Sequence, residues 1–492
     1  MGRMRLVFAV VKLLIITAAI VVAGFFVLTQ FFGMRVEMAG SGMRPVFTFH
    51  DQEAHYEAIE RDRREAAKRT PPPSARAEPA SPETVASAEG VAEEPKKESV
   101  TEAPAPVSAP WPDYRGASRE GIYTQTPIRT DWPDDGLEEL WRQKVGGGYA
   151  SMVVAEGLVF TIEQRRDHEV VAAYDLESGH QVWEHGWPAM FEEQMGGPGP
   201  RATPTWSDGK LYAQGATGEL RCLRAANGEL LWKTNILEDA GASNAQWGMP
   251  ASPLIHRGKV VVNPGGSAGK SVAAYDAETG EIIWQSHDNP AGYSSPMIGT
   301  LTGREQLIVF TGDAALGINL PDGAPLWNVP WGTQFKINAA QPVAVDEDHL
   351  LIASGYGQGA ALLRVLADGD SLSTKTIWQK NTLKSRFNSP VIYEGNVYGF
   401  DESIMACIDV RTGERKWKGG RYGYGQVLLA DGHLIVLSEK GEVALVKATP
   451  ESHQELARFS ALEGKTWNVP AIADGKLLVR NQTEMAAYRL GL

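Results

Sequence analysis

The stretch ASPLIHRGKVVVNPGGSAGKSVAAYDAETGEIIWQ, residues 251–285, packs four β-rich runs and three turns into one short segment. Ser252-Pro253-Leu-Ile-His256 opens a strand and Arg257-Gly258-Lys259 turns it. Val260-Val-Val-Asn263 returns, Ser271-Val-Ala-Ala-Tyr-Asp276 makes a third run, and Glu281-Ile-Ile-Trp284 a fourth. Short β-branched runs separated by glycine-containing turns are hairpin signals. Gly280 before the last run supplies the positive φ that such a turn needs. Four antiparallel strands of this kind make one blade of a β-propeller.

The pattern repeats along the chain. Tryptophans stand at the fourth-strand position at Trp141, Trp183, Trp232, Trp284, Trp327, Trp378 and Trp417, with Phe459 in the same place, spaced 39 to 52 residues apart. Turns of one type precede most of them, as in Asp175-Leu-Glu-Ser-Gly179 and Asp409-Val-Arg-Thr-Gly413. Self-similarity at this period marks a repeat architecture. A large aromatic at each blade end serves packing between blades. First strands open at Ser151, Thr203-Pro204, Ser252-Pro253, Ser295-Pro296, Gln341-Pro342, Ser389-Pro390, Gln426 and Val469-Pro470. The eighth unit stops after its third strand, Ala486-Ala-Tyr488-Arg-Leu, while Leu137-Glu-Glu-Leu-Trp141 is a fourth strand with no blade before it. Joining the two closes the ring and removes an exposed sheet edge. The sequence predicts an all-β, eight-bladed propeller whose last blade is shared between the two ends of the chain.

Ahead of the propeller the composition changes. Residues 13–32 are uncharged and apolar, long enough to cross a bilayer as a helix. Arg3, Arg5 and Lys12 precede them, which places residues 1–12 in the cytoplasm. The residues that follow, Gly33-Met-Arg-Val-Glu-Met38, make a poor cleavage site, so the segment reads as an uncleaved signal anchor. Residues 33–69 form a juxtamembrane segment with a charged helix expected over 50–69. There Glu53, Glu57, Glu60, Arg61, Arg64 and Lys68 recur at spacings of three and four. Residues 70–110 collapse to Pro, Ala, Glu, Ser and Val, a composition expected to stay disordered and to act as a tether. Residues 111–492 hold the propeller. The formal charge of −13 argues against nucleic acid as a partner. Cys222 and Cys407, in different units, read as buried thiols.

Two motifs carry no chemistry. Gly265-Gly-Ser-Ala-Gly269-Lys270-Ser271 resembles a phosphate loop but joins two strands and has one residue too few between its glycines. The ten histidines show no zinc-binding spacing, and no metal site is expected.

The segment Ala273-Ala-Tyr-Asp-Ala-Glu-Thr-Gly-Glu-Ile-Ile-Trp284, the Ser-Pro openings and the leading stretch Trp111-Pro-Asp-Tyr114-Arg-Gly116 with Arg119 and Tyr123 resemble the pyrroloquinoline quinone (PQQ) repeat family over about residues 111–492. The resemblance implies the propeller fold. It also implies two kinds of function, because the family includes quinoprotein dehydrogenases and the non-catalytic lipoprotein BamB of outer-membrane β-barrel assembly. An adjacent cysteine pair that stacks on the quinone and a Cys-x-x-Cys-His haem site, both common among the dehydrogenases, are absent here. So is a lipidated cysteine after the apolar segment.

A site is expected where loops enter the innermost strands around the central channel. Aligning the eight openings places Tyr149, Arg201, Pro250, Tyr293, Ala339, Phe387, Tyr424 and Trp467 at one equivalent position. Trp247, Lys336, Asn338, Arg386, Asn388 and Asn468 lie beside them. Such a ring could stack and pair with a planar acidic ligand or an acidic peptide, and it would equally plug a channel. Glu192 and Glu193 are the nearest candidates for a base or metal ligand, while Glu163, Asp313 and Asp401 read as strand ends. The sequence therefore points to a single-pass protein of the inner (cytoplasmic) membrane with its propeller in the periplasm or another extracytoplasmic space. There it acts as a BamB-like, non-catalytic module that binds a protein or peptide of the envelope without a cofactor. The alternative is an alcohol or sugar dehydrogenase dependent on PQQ with Ca²⁺.

Overall fold

The computed structural model describes residues 2–31, 34–39, 44–49, 52–69, 108–193 and 195–492. The tether expected over residues 70–110 lies outside them apart from its last three residues. Eight sheets of four antiparallel strands each follow one another around an axis. Blade 3 is the unit that begins the sequence reading, with strands Leu254–His256, Lys259–Val262, Val272–Asp276 and Ile282–Ser286 in simple meander order. Blade 8 comprises Ala471–Ala473, Lys476–Arg480 and Glu484–Arg489, and its fourth strand is Glu139–Lys144 from the other end of the propeller. In that pairing Ala487 faces Trp141 and Glu484 faces Lys144, so the ring closes as the repeat count requires.

The tryptophans hold neighbouring blades together. The indole N–H of Trp141 donates to Leu176 O of blade 1 at 2.9 Å. Trp183, Trp232, Trp284, Trp378 and Trp417 repeat the bond to Ala225, Ala277, Leu320, Val410 and Thr449 of the next blade, at 2.8–3.0 Å. Each acceptor lies in the turn between the third and fourth strands. In most blades a glycine of the same turn lies flat against the ring. A Cβ on Gly280 would stand 2.6 Å from Trp232, and one on Gly323 2.6 Å from Trp284. Trp327 departs from the scheme because blade 5 replaces the short turn with a long hairpin, Gly359–Asp368 paired with Ser371–Lys380. Its N–H turns inward to Gln306 Oε1 at 2.6 Å.

The leading segment closes one end of the channel. Trp111 bridges to Val154 of blade 1, and Ile122–Tyr123 adds a parallel fifth strand to blade 7. Between these points Arg119 is buried and forks onto Asp113 at 2.8 and 2.9 Å. Its remaining N–H groups donate to Pro253 O at 2.6 Å and Pro296 O at 2.7 Å, in blades 3 and 4. Arg115 does the same for Val427 O at 3.1 Å and Pro390 O at 3.3 Å, in blades 7 and 6. Two guanidinium groups thus satisfy carbonyls that the inner strands leave pointing at the axis.

Before the propeller, helix α1 spans Gly2–Phe31, and its stretch Lys12–Thr29 is long and apolar enough to cross a membrane. A hairpin pairs Met34–Ala39 with Arg44–Phe49, and α2 spans Gln52–Arg69. The hairpin has no counterpart in the sequence reading. Helix α2 packs on the propeller rim between blades 8 and 1. It buries Tyr56 and Ile59, donates from Arg63 to Glu163 at 3.2 Å, and pairs Asp62 with Lys144 at 2.9 Å. Arg166 answers with ion pairs to Glu53 and Glu60.

Candidate functional site

With the channel stopped below by the leading segment, its other end forms a cup of about 200 Å³. Tyr114 belongs to the floor. The wall comes from residues immediately before the first strands, where each blade's backbone turns toward the axis: Tyr149, Arg201, Pro250, Tyr293, Ala339, Phe387 and Trp467. Trp247 also lines it. The aromatic rings support one another. Tyr149 stacks on Trp467 with centroids 5.3 Å apart, and Phe387 lies 4.7 Å from Trp467. Trp247 meets Tyr293 edge to face. Burial of the Tyr293 hydroxyl pushes its pKa up to about 12.

Other residues of the expected ring sit elsewhere. Tyr424 does not line the cup; it packs behind Phe387, with centroids 5.5 Å apart. Arg386 is clamped between the rings of Tyr356 and Tyr424, 4.9 Å from each, and pairs with Glu402 at 3.0 Å. Tyr356, which the repeat alignment does not select, takes a place on the wall. Lys336 is exposed on the rim. Asn338 and Asn468 are buried and hold loop backbone instead. Asn338 donates to Thr311 O and Trp331 O at 2.8 and 2.9 Å, and Asn468 to Gly148 O and Ala150 O at 3.2 and 2.9 Å. Asn388 is buried at the equivalent place, where no hydrogen-bond partner among the described residues reaches its amide.

Charge in the cup is sparse and already matched. Among the described residues lining it, Arg201 is the one cation and Glu193 the one carboxylate. Arg201 lies 4.7 Å from the Phe191 ring and 5.5 Å from Tyr149, and donates to Gly197 O at 2.9 Å and to Gly199 O. Its burial pushes the guanidinium pKa down, against the pull of Tyr149 and Glu193. Glu193 accepts from the N–H groups of Met195, at 2.8 Å, and Gly196, and stands 3.5 Å from Arg201. Behind Arg201, Glu169 is fully buried, accepts from Ala216 N at 2.8 Å, and is pushed up to about 7 by desolvation.

The remaining acids are structural. Glu163 accepts from Gly146 N at 2.7 Å and faces Arg165, Arg63 and Arg480. Burial alone would raise its pKa, but these cations outweigh burial and hold it at about 2. Asp401 pairs with Lys384 and Lys418, and Asp313 accepts from Asn289 at 2.7 Å. Asp346, Asp348 and His349 cluster at the turn between the first two strands of blade 5, where Arg411 and Arg364 balance their charge.

A quinone held by a hard cation calls for several converging carboxylate and amide oxygens. The cup offers Glu193, tied to two backbone N–H groups, and Gln426, whose Oε1 has no donor among the described residues. These donors do not make a cation cage beside a planar ligand, so the residues present do not fit that pair.

Comparison with known proteins agrees with this fold. The family model for "Outer membrane protein assembly factor BamB" matches residues 132–245 and 166–419. The chain is 24% identical over 317 residues to outer membrane protein assembly factor BamB of Burkholderia pseudomallei, covering 62% of this chain and 75% of that protein. It is 29% identical over 158 residues to a quinohemoprotein alcohol dehydrogenase of Comamonas testosteroni, a match spanning 30% of this chain and 21% of the dehydrogenase. Among solved structures, BamB from Moraxella catarrhalis superposes with a TM-score of 0.51 at 15% identity, over 72% of this chain and 97% of that one. The Comamonas testosteroni dehydrogenase gives 0.55 at 13% identity, over 80% and 82%. These likenesses at low identity establish the fold alone. With the family model covering more than half of its residues, the chain belongs to the BamB family of PQQ-like β-propellers.

Proposed function

We propose that this protein is a membrane-tethered, non-catalytic binding module of the cell envelope, and that its cup-bearing face receives a protein or peptide. The observation that carries this reading is the state of the cup's charges. Arg201 and Glu193 are engaged with the protein's own backbone and with each other, and what remains is an aromatic wall. Among the described residues Glu193 is the one carboxylate lining the cup, and its two oxygens serve to hold the backbone of its own turn. An apolar cup with few polar groups suits an anchoring side chain of a partner. The relatives named as outer membrane protein assembly factors support a partner in the envelope. The apolar stretch Lys12–Thr29 of helix α1, preceded by Arg3 and Arg5, supports an extracytoplasmic propeller on a single-pass inner-membrane anchor.

The full chain in detergent, incubated with PQQ and Ca²⁺, tests this reading. No stoichiometric quinone absorbance and no dye reduction with a panel of alcohols and sugars is expected. A photo-crosslinking residue in place of the exposed Phe335 beside the cup is expected to trap an envelope polypeptide in cells. Stoichiometric quinone binding with substrate-dependent turnover would overturn the proposal in favour of a dehydrogenase.

A further inference from the structure

The mouth of the cup is bordered by the chain's own segment Met195–Gly199, whose Gly197–Pro198 pairs with Glu192–Glu193 as a short hairpin and which side chains hold as well. Four of its five carbonyls accept from side chains, two from Lys465 and Gln482 of other loops and two from Arg201 just past the segment's end. Lys465, between blades 7 and 8, donates to Met195 O at 2.9 Å. Gln482, in the turn between the second and third strands of blade 8, donates to Gly196 O at 2.6 Å. Arg201 donates to Gly197 O at 2.9 Å and to Gly199 O. The segment contributes one large side chain, Met195, which lines the cup. Its other residues are Gly196, Gly197, Pro198 and Gly199. A Cβ on Gly196 would lie 3.1 Å from Arg201 Nη2 and 3.2 Å from Tyr149. Glu193 Oε1 would stand closer still to the same point, so the wall leaves no room for a side chain there.

Side-chain donors aimed at successive carbonyls read a main chain and not a sequence. We propose that this mouth is a binding site for an extended peptide, read through its backbone carbonyls, with one unbranched apolar side chain entering the cup beside small residues. Met195–Gly199 occupies it as an internal competitor. The inference rests on the binding-module reading and specifies its partner. Arg201 makes the exchange selective. Its side chain is only 8% exposed, and stripping a buried guanidinium of its acceptors is costly. The segment leaves only when an incoming chain supplies carbonyl or carboxylate oxygens in its place. Lys465 and Gln482 lie nearer solvent and can exchange acceptors first.

The base of the segment allows a direct test. Gly199 N donates to Phe191 O at 2.8 Å, so two residues can close the chain there as a four-residue turn. The full-length protein with residues 192–198 replaced by Asn-Gly, its fold checked by thermal melting, is titrated with a fluorescent peptide copying residues 191–200. Binding at least about tenfold tighter than to the unaltered protein is expected, and Lys465→Ala with Gln482→Ala in the shortened background should weaken it by about tenfold or more. Equal binding to both proteins, or binding indifferent to the two donors, overturns the proposal. If the shortened chain does not fold, Lys465→Ala/Gln482→Ala in the full-length protein is followed by hydrogen exchange of the Met195 and Gly196 amides. Faster exchange supports the exchangeable segment and unchanged exchange overturns it. Failure of the peptide while Phe335 still crosslinks an envelope polypeptide would reject carbonyl reading and leave the binding module standing. Quinone turnover by the shortened chain would reject the binding module itself.

Discussion

Arg63 of α2 and Glu163 of blade 1, 100 residues apart in sequence, meet at 3.2 Å with the carboxylate fully buried. The pair joins α2 to the face of the propeller that carries the cup. Glu163 also neutralises Arg165 and Arg480, so its removal leaves three guanidinium groups facing one another. Glu163→Ala is expected to destabilise the propeller by about 3–5 kcal/mol and to release α2, read as faster amide exchange over residues 52–69. The pH dependence follows from a folded pKa of about 2 against an ordinary 4.5. The stabilisation is complete above the ordinary value and is lost as pH falls from there toward the folded one. The stability difference between the native chain and Glu163→Gln should therefore shrink across that acid window. A difference that stays constant across it would show that Glu163 is not held as described.

Glu169 has the opposite sign. Desolvation raises it from 4.5 to about 7, so the folded protein binds a proton that the unfolded chain releases between those values. Stability contributed by the protonated acid is full below the ordinary pKa and falls as pH rises through the window. Glu169→Gln keeps an oxygen for Ala216 N and cannot ionise. It should match the native protein near pH 4 and exceed it by about 2–3 kcal/mol at pH 8. Equal chemical denaturation midpoints at pH 8 would contradict the assignment.

The two carboxylates show what the sequence could and could not carry. Blade number and ring closure were legible because each blade writes its own turn chemistry locally: a Ser-Pro opening, an Asp-x-x-x-Gly turn, a tryptophan after it. Trp141 and Ala487 find each other because both follow that local grammar. The cup wall was partly legible for the same reason, since Tyr149, Tyr293, Phe387 and Trp467 occupy one repeat position. Tyr356 escaped because it lies in the turn between the second and third strands of blade 5, outside the aligned position. The roles of Arg115 and Arg119 had no sequence signal, because their acceptors are backbone carbonyls contributed by other blades. The seat of α2 was illegible as well. It rests on two buried apolar residues, Tyr56 and Ile59, and on ion pairs whose partners lie some hundred residues away.

The repeat chemistry makes each tryptophan and the turn glycine of the next blade parts of one contact, as with Trp284 and Gly323. Trp284→Phe removes the N–H that reaches Leu320 O at 2.9 Å and strands a buried carbonyl, at about 1–3 kcal/mol. Gly323→Ala introduces a Cβ where φ is +75° and Trp284 stands 2.6 Å away, and should cost more than the loss of that bond alone. The double variant should lose less than the sum, because both changes disturb one contact. Additive urea midpoints would argue that ring and turn act independently.

Arg119 forks onto Asp113 of its own segment and ties that segment to three carbonyls of blades 3 and 4, Ser252 O, Pro253 O and Pro296 O. Asp113 is buried with it, and burial pushes its pKa up despite the adjacent guanidinium. Arg119→Ala would leave Asp113 without its counter-charge and three inner-strand carbonyls without a donor. A loss of about 3–5 kcal/mol is expected, with cleavage by protease near residues 111–123 before the blades unfold. Arg119→Ala/Asp113→Ala removes the stranded carboxylate as well and should recover part of the loss, since the remaining cost is unmet carbonyls and lost packing. Because Tyr114 and Trp467 line the same cup, a loosened segment should also change the fluorescence that Trp467 contributes, measurable against Trp467→Phe. A single variant that melts like the native chain would place the closure of the channel in Arg115 and Trp111 instead.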